Sequence, residues 1–404
     1  MKKVLIISIA VLLGTMFTSP ILGQPMKSSG PTGSPIRIGG SLPLTGIYSE
    51  VAKWIKAGYE YWIEDVNKRG GLLGRPVRLI IYNDEGSPDK AVTYYERAIT
   101  VDKVDLIFGG YPGGSLVVLM PLAEKYEKVF IGQGGHMKSF EQGLTYSFAS
   151  PPLMSDWVYL ALGGILDSLI QKTKWPQSIA FLTANNVMGL SARGNLVEAM
   201  EARGITVVVN ETYNLPLSDA NPMVSKAKGR KAEILCCLSA FDDGVMIMRA
   251  AKAMNYNPKL IYQQTAALTP AWTKELGEDG DNVLNTAFWH YRLGFPGNDE
   301  IREGAKTRLG IPVPPQYFGA AYCWMKTLEL AVQGVNTLDQ KQIRDYLRSH
   351  KFDLPYGKGI AFDKRGLPPP FCFGGQTKGG WQELVWPKEI ATTQLVYPRP
   401  AWSK

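Results

Sequence analysis

Apolar and polar positions follow two different periods along the chain. The segment "IRIGGSLPL" reads as a first strand ending in a loop, and from Val51 to Val66 apolar residues recur at helical spacing. Gly70 and the glycine after it end this helix, because glycine adopts a left-handed conformation at little cost. The next run, "VRLIIY", is almost continuously apolar, as in a parallel strand covered on both faces. Ser87 then provides an N-cap and Pro88 a first helical residue, so the order predicts a βαβ winding.

The same alternation continues beyond this first unit. "VDLIFGG", "VFIGQGG", "SIAFLT" and "ITVVVN" predict further strands, and "SLVVLMPLAEKYE" and "GLSARGNLVEAMEARG" predict further helices. A second series opens after "SFASPPLMSD" with a helix to about Gln171. The later "AEILCCLSAFDDGVMIMRAAKAMNYNPKLIYQQ" repeats the strand, loop, helix and strand of "VDLIFGGYPGGSLVVLMPLAEKYEKVFIGQGG". We predict two similarly wound α/β lobes; the alternative is a coincidence between two ordinary βαβ units.

Length and charge support this division and argue against nucleic acid. A chain of 404 residues is long enough for two domains of ordinary size. The formal net charge is +8, but the Lys and Arg residues are scattered and form no stripe. We therefore expect a solvated basic surface and no nucleic-acid partner.

The N-terminus has the pattern of a secretory signal. Lys2 and Lys3 precede a short apolar run from Val4 to Leu13, and small residues lead to Gly23. This run is too short to span a membrane as a helix. We predict a signal peptide at 1–24, a Ser/Gly/Pro leader at 25–35, and export to a periplasm-like compartment without a lipid-anchored cysteine.

The four cysteines do not form a disulfide framework or a spaced metal site. Cys236 and Cys237 are adjacent in a predicted buried strand, and Cys323 lies in a helical pattern. We expect buried thiols, with a Cys323–Cys372 bridge as the alternative in an oxidising compartment. We expect no metal and no cofactor.

Candidate site residues follow the predicted strands. In open parallel sheets a ligand binds beyond the carboxyl ends of the strands. These positions are Leu44–Tyr48, Gly109–Ser115, Gln133–His136, Asn185–Gly189, Ser239–Asp243 and Gln263–Ala266. Several are rich in glycine, which lets a ligand approach backbone N–H groups, and aromatic residues stand beside them. They predict a cleft for a small, partly apolar molecule.

Enzyme signatures are absent from the sequence. It has no nucleophile elbow, no Walker loop, no H-E-x-x-H and no dinucleotide-binding glycine motif. His136 is interpreted as a ligand partner or an exposed loop residue, and His290 as structural. Asp84 and Glu85 are interpreted as a solvated loop, because adjacent strand-end side chains point apart. We predict no catalytic residue and no enzyme; a hydrolase using His136 is the disfavoured alternative.

Longer segments carry a family resemblance. "IRIGGSLPLTG", "AGYEYWIEDVNKRGGLLGRPVRLIIYND", "SPDKAV" and "GKGIAFDKRG" resemble type I periplasmic binding proteins of the leucine/isoleucine/valine-binding kind, which serve ABC importers. The resemblance covers roughly 36–375. It implies an α/β fold of two doubly wound Rossmann-like lobes joined by a three-strand hinge. Lobe 1 would be 36–150 plus 286–350, and lobe 2 would be 151–285 plus 351–404, including a C-terminal tail.

The resemblance also implies which residues bind the ligand. They are Tyr48, Tyr111, Gly113, Gly114, Ser115, Gln133, Gly135, His136, Met188, Phe241, Asp242, Gln264 and Tyr317. Tyr111 matches an aromatic position of the amide-sensing branch. The implied partners are a small organic solute and a membrane ABC permease, with a monomeric protein. A ligand sensor that signals to a regulatory partner is the alternative.

One position departs from the family pattern. Family members that bind α-amino acids hold the ammonium group with an acidic residue, where this chain has Gln264 or Thr265. An amide cannot neutralise a desolvated ammonium. Either Asp242 supplies the charge, or the solute is an amide, a urea-like compound or an aromatic carboxylate. Branched-chain amino acids remain the first expectation from the family.

Overall fold

The computed structural model of the protein describes residues 30–403. The predicted signal peptide at 1–24 and the first part of the leader therefore lie outside the described residues.

The described chain alternates strands and helices as the apolar pattern predicts. The strands are β1 (Ile36–Leu42), β2 (Val77–Asn83), β3 (Leu106–Ile107), β4 (Phe130–Gly135), β5 (Ser147–Met154), β6 (Ser178–Ala184), β7 (Thr206–Tyr213), β8 (Ile234–Leu238), β9 (Leu260–Gln263), β10 (Leu284–Ala287), β11 (Phe352–Leu354), β12 (Gly357–Ile360), β13 (Phe373–Lys378) and β14 (Trp381–Trp386). The helices are α1 (Ser49–Lys68), α2 (Pro88–Thr100), α3 (Leu116–Lys125), α4 (Met137–Phe140), α5 (Val158–Leu169), α6 (Val187–Glu201), α7 (Asn221–Gly229), α8 (Phe241–Ala253), α9 (Pro270–Leu276), α10 (Asn298–Leu309), α11 (Gln316–Val335) and α12 (Gln340–Ser349).

Two parallel sheets have the same winding. In the first, β1 pairs with β2 and β3, and the β4–β5 pair lies beside β3, where the backbones of Gly109 and Gly132 approach closely. In the second, the order is β7-β6-β8-β9-β10, continued by the antiparallel strands β13 and β14. Both lobes thus wind outward from their first strand, as predicted from the repeated βαβ pattern.

Strand β3 is shorter than the apolar run "VDLIFGG" predicts. Two tyrosine side chains donate to carbonyl oxygens just after it: Tyr95 Oη to Phe108 at 2.8 Å and Tyr59 Oη to Gly109 at 2.6 Å. Because side chains satisfy these carbonyls, the ladder ends early and the chain turns toward the sheet edge.

The first lobe is closed by helices α1 and α11, which pack along each other. Trp62 and Glu329 are fully buried at this contact, and the Trp62 indole N–H donates to the Glu329 carboxylate at 2.9 Å. Arg69 donates two further hydrogen bonds to Glu329, at 2.7 and 3.0 Å. The buried charge is therefore paired on several sides, as burial of a carboxylate requires.

Three segments connect the lobes. After β5 the chain crosses at 155–157 to α5, which packs on β10 and β13. It returns at 288–297 to α10, and it crosses again between Leu367 and β13. The fold is thus the predicted one of two wound lobes joined by a three-segment hinge.

Strands β11 and β12 pack against residues of the first lobe. The predicted lobe division at 350/351 places these strands in lobe 2, yet the Tyr356 hydroxyl bonds to the Ser150 hydroxyl at 2.7 Å and Phe352 packs on Tyr346 of α12. The Ala149 N–H also donates to Gly366 O at 3.0 Å. On these contacts we propose a boundary after Leu367, while the rest of the division stays a prediction.

Several local predictions from the sequence are confirmed. The Ser87 hydroxyl accepts from the Lys90 N–H at the start of α2, with Pro88 at the first helical position. All four cysteines are free and buried, so the alternative of a Cys323–Cys372 bridge is wrong. The Cys372 thiol instead donates to Trp157 O at 3.4 Å.

The interpretation of Asp84 as a solvated residue is wrong. Its carboxylate is 1% exposed and accepts from the Ser41 hydroxyl at 2.6 Å and the Gly86 N–H at 2.9 Å. Burial raises the pKa of Asp84 above its ordinary value. The hydrogen bond between Asp84 and Ser41 links the end of β2 to β1. The Glu85 side chain is half exposed and forms an ion pair with Lys90.

Within residues 30–403, no helix is long and apolar enough to cross a membrane, and no cluster of His, Cys, Asp and Glu is arranged to hold a metal ion.

Candidate functional site

A cavity of about 120 Å³ lies between the two lobes. Its walls come from the carboxyl ends of β1 and β3 in the first lobe and of β6, β8 and β9 in the second. This is the switch-point position at which open α/β sheets bind ligands. The volume has room for about four water molecules, the scale of a small organic compound.

Most of the predicted site residues line this cavity. They are Tyr48, Tyr111, Gly113, Gly114, Gln133, Met188, Phe241, Gln264 and Tyr317.

Two of the remaining predicted residues belong to the turn Gly113–Ser115 or pack against it. Ser115 is the last residue of this turn, is buried, and its N–H donates to Pro112 O at 3.0 Å. A Cβ on Gly135 would lie 3.0 Å from Gly113 O, so this glycine packs against the turn. Neither residue is part of the cavity wall.

His136 and Asp242 are also outside the cavity wall. His136 is the N-cap residue of α4 and is 6% exposed, so it is neither a cavity residue nor an exposed loop residue. Burial lowers its pKa below the ordinary value. Asp242 lies on the exposed face of α8, whereas its neighbour Asp243 is buried and accepts from the Leu217 N–H at 3.0 Å. The structure therefore does not bring Asp242 into the cavity wall, and its contact with the ligand stays a prediction.

The sequence analysis missed several wall residues. Thr286 lies in β10 and Phe288 directly follows it, whereas Gln316 begins α11 and Glu50 lies in the first turn of α1. The sequence analysis did not assign β10 as a strand and so missed its end, and Gln316 and Glu50 do not follow a strand directly. Asn186 and Ser239 lie inside predicted strand-end segments but were not singled out.

Three tyrosines form one wall. Tyr111 lies edge-on to Tyr48 and to Tyr317, with ring centroids 5.9 Å apart in both pairs. Burial raises the pKa of all three hydroxyls above their ordinary value, so they remain neutral. Such a wall suits an apolar or aromatic ligand body.

Several helix starts also line the cavity. α8 begins at Phe241 and α11 at Gln316, and neither has a side-chain cap; the turn Gly113–Ser115 precedes α3. At the start of α6, the Asn186 side chain accepts from the Gly189 N–H at 2.8 Å. Uncapped first-turn N–H groups and the positive ends of helix dipoles favour an acceptor-rich ligand group.

Two buried amide groups add donors to the wall. Gln133 and Gln316 are each 3% exposed, and within residues 30–403 the Nε2 atom of each has no hydrogen-bond partner. The Gln316 Oε1 accepts from the Phe288 N–H at 3.3 Å, which fixes the amide so that Nε2 remains the free donor.

Charged groups are scarce around the cavity. Among the described residues, its wall contains no Lys, Arg or His, and Glu50 is its one carboxylate. Glu50 is already engaged on its own helix, by Lys53 Nζ and by the Trp54 indole N–H at 3.2 Å. The cavity therefore offers many donors and little free charge.

The two lobes touch across the cavity. A Cβ built on Gly113 of the first lobe would lie 2.7 Å from the Sδ atom of Met188 in the second. Near the first crossing, Asp156 accepts from the Met137 N–H at 2.7 Å and from the Ser191 hydroxyl at 3.0 Å, which links both lobes. The structure is thus a closed arrangement of the two lobes.

Comparison with known proteins agrees with this architecture. The family model described as "Periplasmic binding protein" matches residues 35–371. The chain is 22% identical over 405 residues to the Leu/Ile/Val-binding protein homolog 8 of Brucella suis, covering 96% of this chain and 100% of that protein.

Solved structures share the fold. A leucine-binding protein, LivK, from Thermotoga maritima has a TM-score of 0.77 at 17% identity, covering 86% of this chain and 97% of that one. A solute-binding protein of an ABC transporter from R. palustris, in complex with benzoate, has a TM-score of 0.76 at 16% identity, covering 87% and 96%. The chain has two wound lobes with a cavity at their junction, and the family model spans most of its length. It therefore belongs to the periplasmic binding protein family.

Proposed function

We propose that this protein is the extracytoplasmic substrate-binding protein of an ABC importer. It would bind a small organic solute in the cleft, close its lobes around it and release it unchanged to a membrane permease. The solute would be of the branched-chain amino acid type, or a related amide or aromatic acid.

The observation that carries this proposal is the shared cavity. Both lobes supply its walls, and they meet at the contact of Gly113 with Met188. A site divided in this way is complete only when the lobes close, so binding and closure are coupled. That coupling gives a permease a means to recognise the loaded form.

Two of the similar proteins support a solute of the size of an amino acid or a small aromatic acid. One of them is named for leucine and another contains benzoate. Export through the predicted signal peptide at 1–24, a periplasmic location and a monomeric state belong to the same proposal.

A thermal-shift screen of amino acids, amides and aromatic acids tests the proposal. A solute that binds the folded form raises the apparent melting temperature by mass action, corresponding to about 2.7 kcal/mol at a hundredfold excess over Kd. Each bound solute is then recovered and analysed, and we expect it unchanged.

Two aromatic substitutions provide a matched pair. Tyr111→Ala removes a wall residue, whereas Tyr94→Ala removes a ring that stacks on Tyr82 outside the cavity. We expect the first to abolish the shift and the second to retain it. Full affinity in Tyr111→Ala, or chemical conversion of the solute, would contradict the proposal.

A further inference from the structure

Hydrogen-bond donors predominate in the cleft. The Nε2 groups of Gln133 and Gln316 are buried and unpaired within residues 30–403, and both side chains line the cavity. A buried donor without a partner is destabilising, so these two amides favour a ligand that supplies acceptor oxygens. The uncapped starts of α8 and α11 add backbone donors to the same cavity.

Two hydroxyl groups of the wall are already bonded to buried neighbours. The Thr286 hydroxyl is bonded to the Tyr262 hydroxyl at 2.7 Å, and the Ser239 hydroxyl donates to Gln263 Oε1 at 2.8 Å. The Glu50 carboxylate is engaged by its own helix. A carboxylate offers two acceptor oxygens to the two unpaired amide donors, whereas a carboxamide offers one, so the carboxylate matches this wall better.

The cavity wall itself offers an α-ammonium group no free carboxylate. Gln264 and Thr265 occupy the wall after β9, and both are uncharged. Asp242 is exposed on α8, and the buried Asp243 is not part of the wall. Taking an ammonium out of water without a paired carboxylate costs several kcal/mol, which would cancel much of the gain from binding.

The remaining wall is aromatic and apolar. It includes Tyr48, Tyr111, Phe241, Phe288, Tyr317 and Met188. These residues suit a branched or aromatic hydrocarbon body next to the acceptor-binding end.

We infer that the cleft selects an apolar or aromatic monocarboxylate that lacks an α-ammonium group. Gln133 and Gln316 bind the carboxylate oxygens together with the helix starts, and the aromatic wall encloses the body. This inference rests on the proposed function, since it names the solute class of the same site.

Two matched series test the selectivity by titration calorimetry on the mature protein. The first is 4-methylpentanoate, 4-methylpentanamide and L-leucine; the second is 3-phenylpropanoate, 3-phenylpropanamide and L-phenylalanine. Within a series the body is constant and only the polar end changes. We expect the carboxylate to bind at least about tenfold more tightly than the other two members in at least one series.

Three substitutions examine the residues themselves. Gln316→Glu places a negative charge beside the carboxylate and should weaken its binding by about a hundredfold. Gln171→Glu makes the same change on an exposed side chain and should leave binding unaltered. Gln264→Glu supplies the missing anion and should shift the binding preference toward the amino acid of each series. Loss of folding could not produce such a change in preference.

The outcomes separate this inference from the proposed function. If an amino acid or an amide binds as tightly as the matching carboxylate, or if only other kinds of solute bind, the inference is overturned and solute binding stands. If a folded protein binds no solute in the broad screen, both are overturned. Unchanged carboxylate affinity in Gln316→Glu also overturns the inference.

Discussion

The contact between Gly113 and Met188 provides a direct test that the lobes close on each other. A methyl group on Gly113 would lie 2.7 Å from Met188 Sδ, 3.0 Å from Cε and 3.2 Å from Cγ. Non-bonded carbon atoms are ordinarily at least about 3.5 Å apart, so Gly113→Ala would force the Met188 thioether to move. Because the methionine side chain is flexible, we expect the substitution to destabilise the closed form by about 1 kcal/mol, the lower end of the range for overpacked cores.

This cost arises only in the closed form, because separated lobes leave space around both residues. Gly113→Ala should therefore weaken binding of 3-phenylpropanoate, or of the best solute from the screen, about fivefold. The melting temperature of the ligand-free protein should fall little. Gly194→Ala on α6 is the control, since a Cβ there has nothing within 4 Å and Gly194 is not part of the cavity wall.

A double-mutant cycle completes the assay. Met188→Ala removes the opposing thioether, so the Gly113→Ala/Met188→Ala protein should recover affinity relative to the additive expectation, with a coupling energy of about 1 kcal/mol by calorimetry. Additive effects, or an equal loss of affinity in Gly194→Ala, would refute the cross-cleft contact.

Two further predictions concern stability and thiol chemistry. Burial lowers the pKa of His290 to about 4, although its Nε2 is bonded to Gln382 O at 3.0 Å. Because the unfolded chain binds the proton near its ordinary pKa of about 6.5, stability should fall by about 3 kcal/mol as pH drops from about 6.5 to 4, and denaturant titrations of His290→Gln should show a flatter dependence. An identical pH slope in that variant would contradict this account. All four cysteines are buried and free, so a thiol reagent should label none in the native protein and four after denaturation; finding two under non-reducing conditions would indicate a bridge.

The apolar pattern predicted the winding well, because strand and helix periods are local properties of the sequence. Strand-end positions such as Tyr48, Tyr111 and Phe241 were found because the winding places them at one edge. Gln316 was missed because the hinge brings it to the cavity from a distant segment.

The sequence pattern also did not predict that Asp243 is buried and Asp242 exposed. One residue corresponds to a rotation of about 100° on a helix, so it decides which carboxylate is buried. The start of α8 at Phe241 sets that rotation, and Ala240 before it gives no capping signal in the sequence. Tertiary contacts, and not local pattern, therefore decide the details of the wall.

The most direct test of the account is the distance between the lobes with and without solute. Spin labels at Val118→Cys on α3 and Glu198→Cys on α6 lie on different lobes, and the native cysteines are buried. With any solute that raises the melting temperature, pulsed electron spin resonance should show the ligand-free distance shorten to that of the closed structure. The same distance distribution with and without saturating solute would contradict the claim that the protein works by closing its cleft.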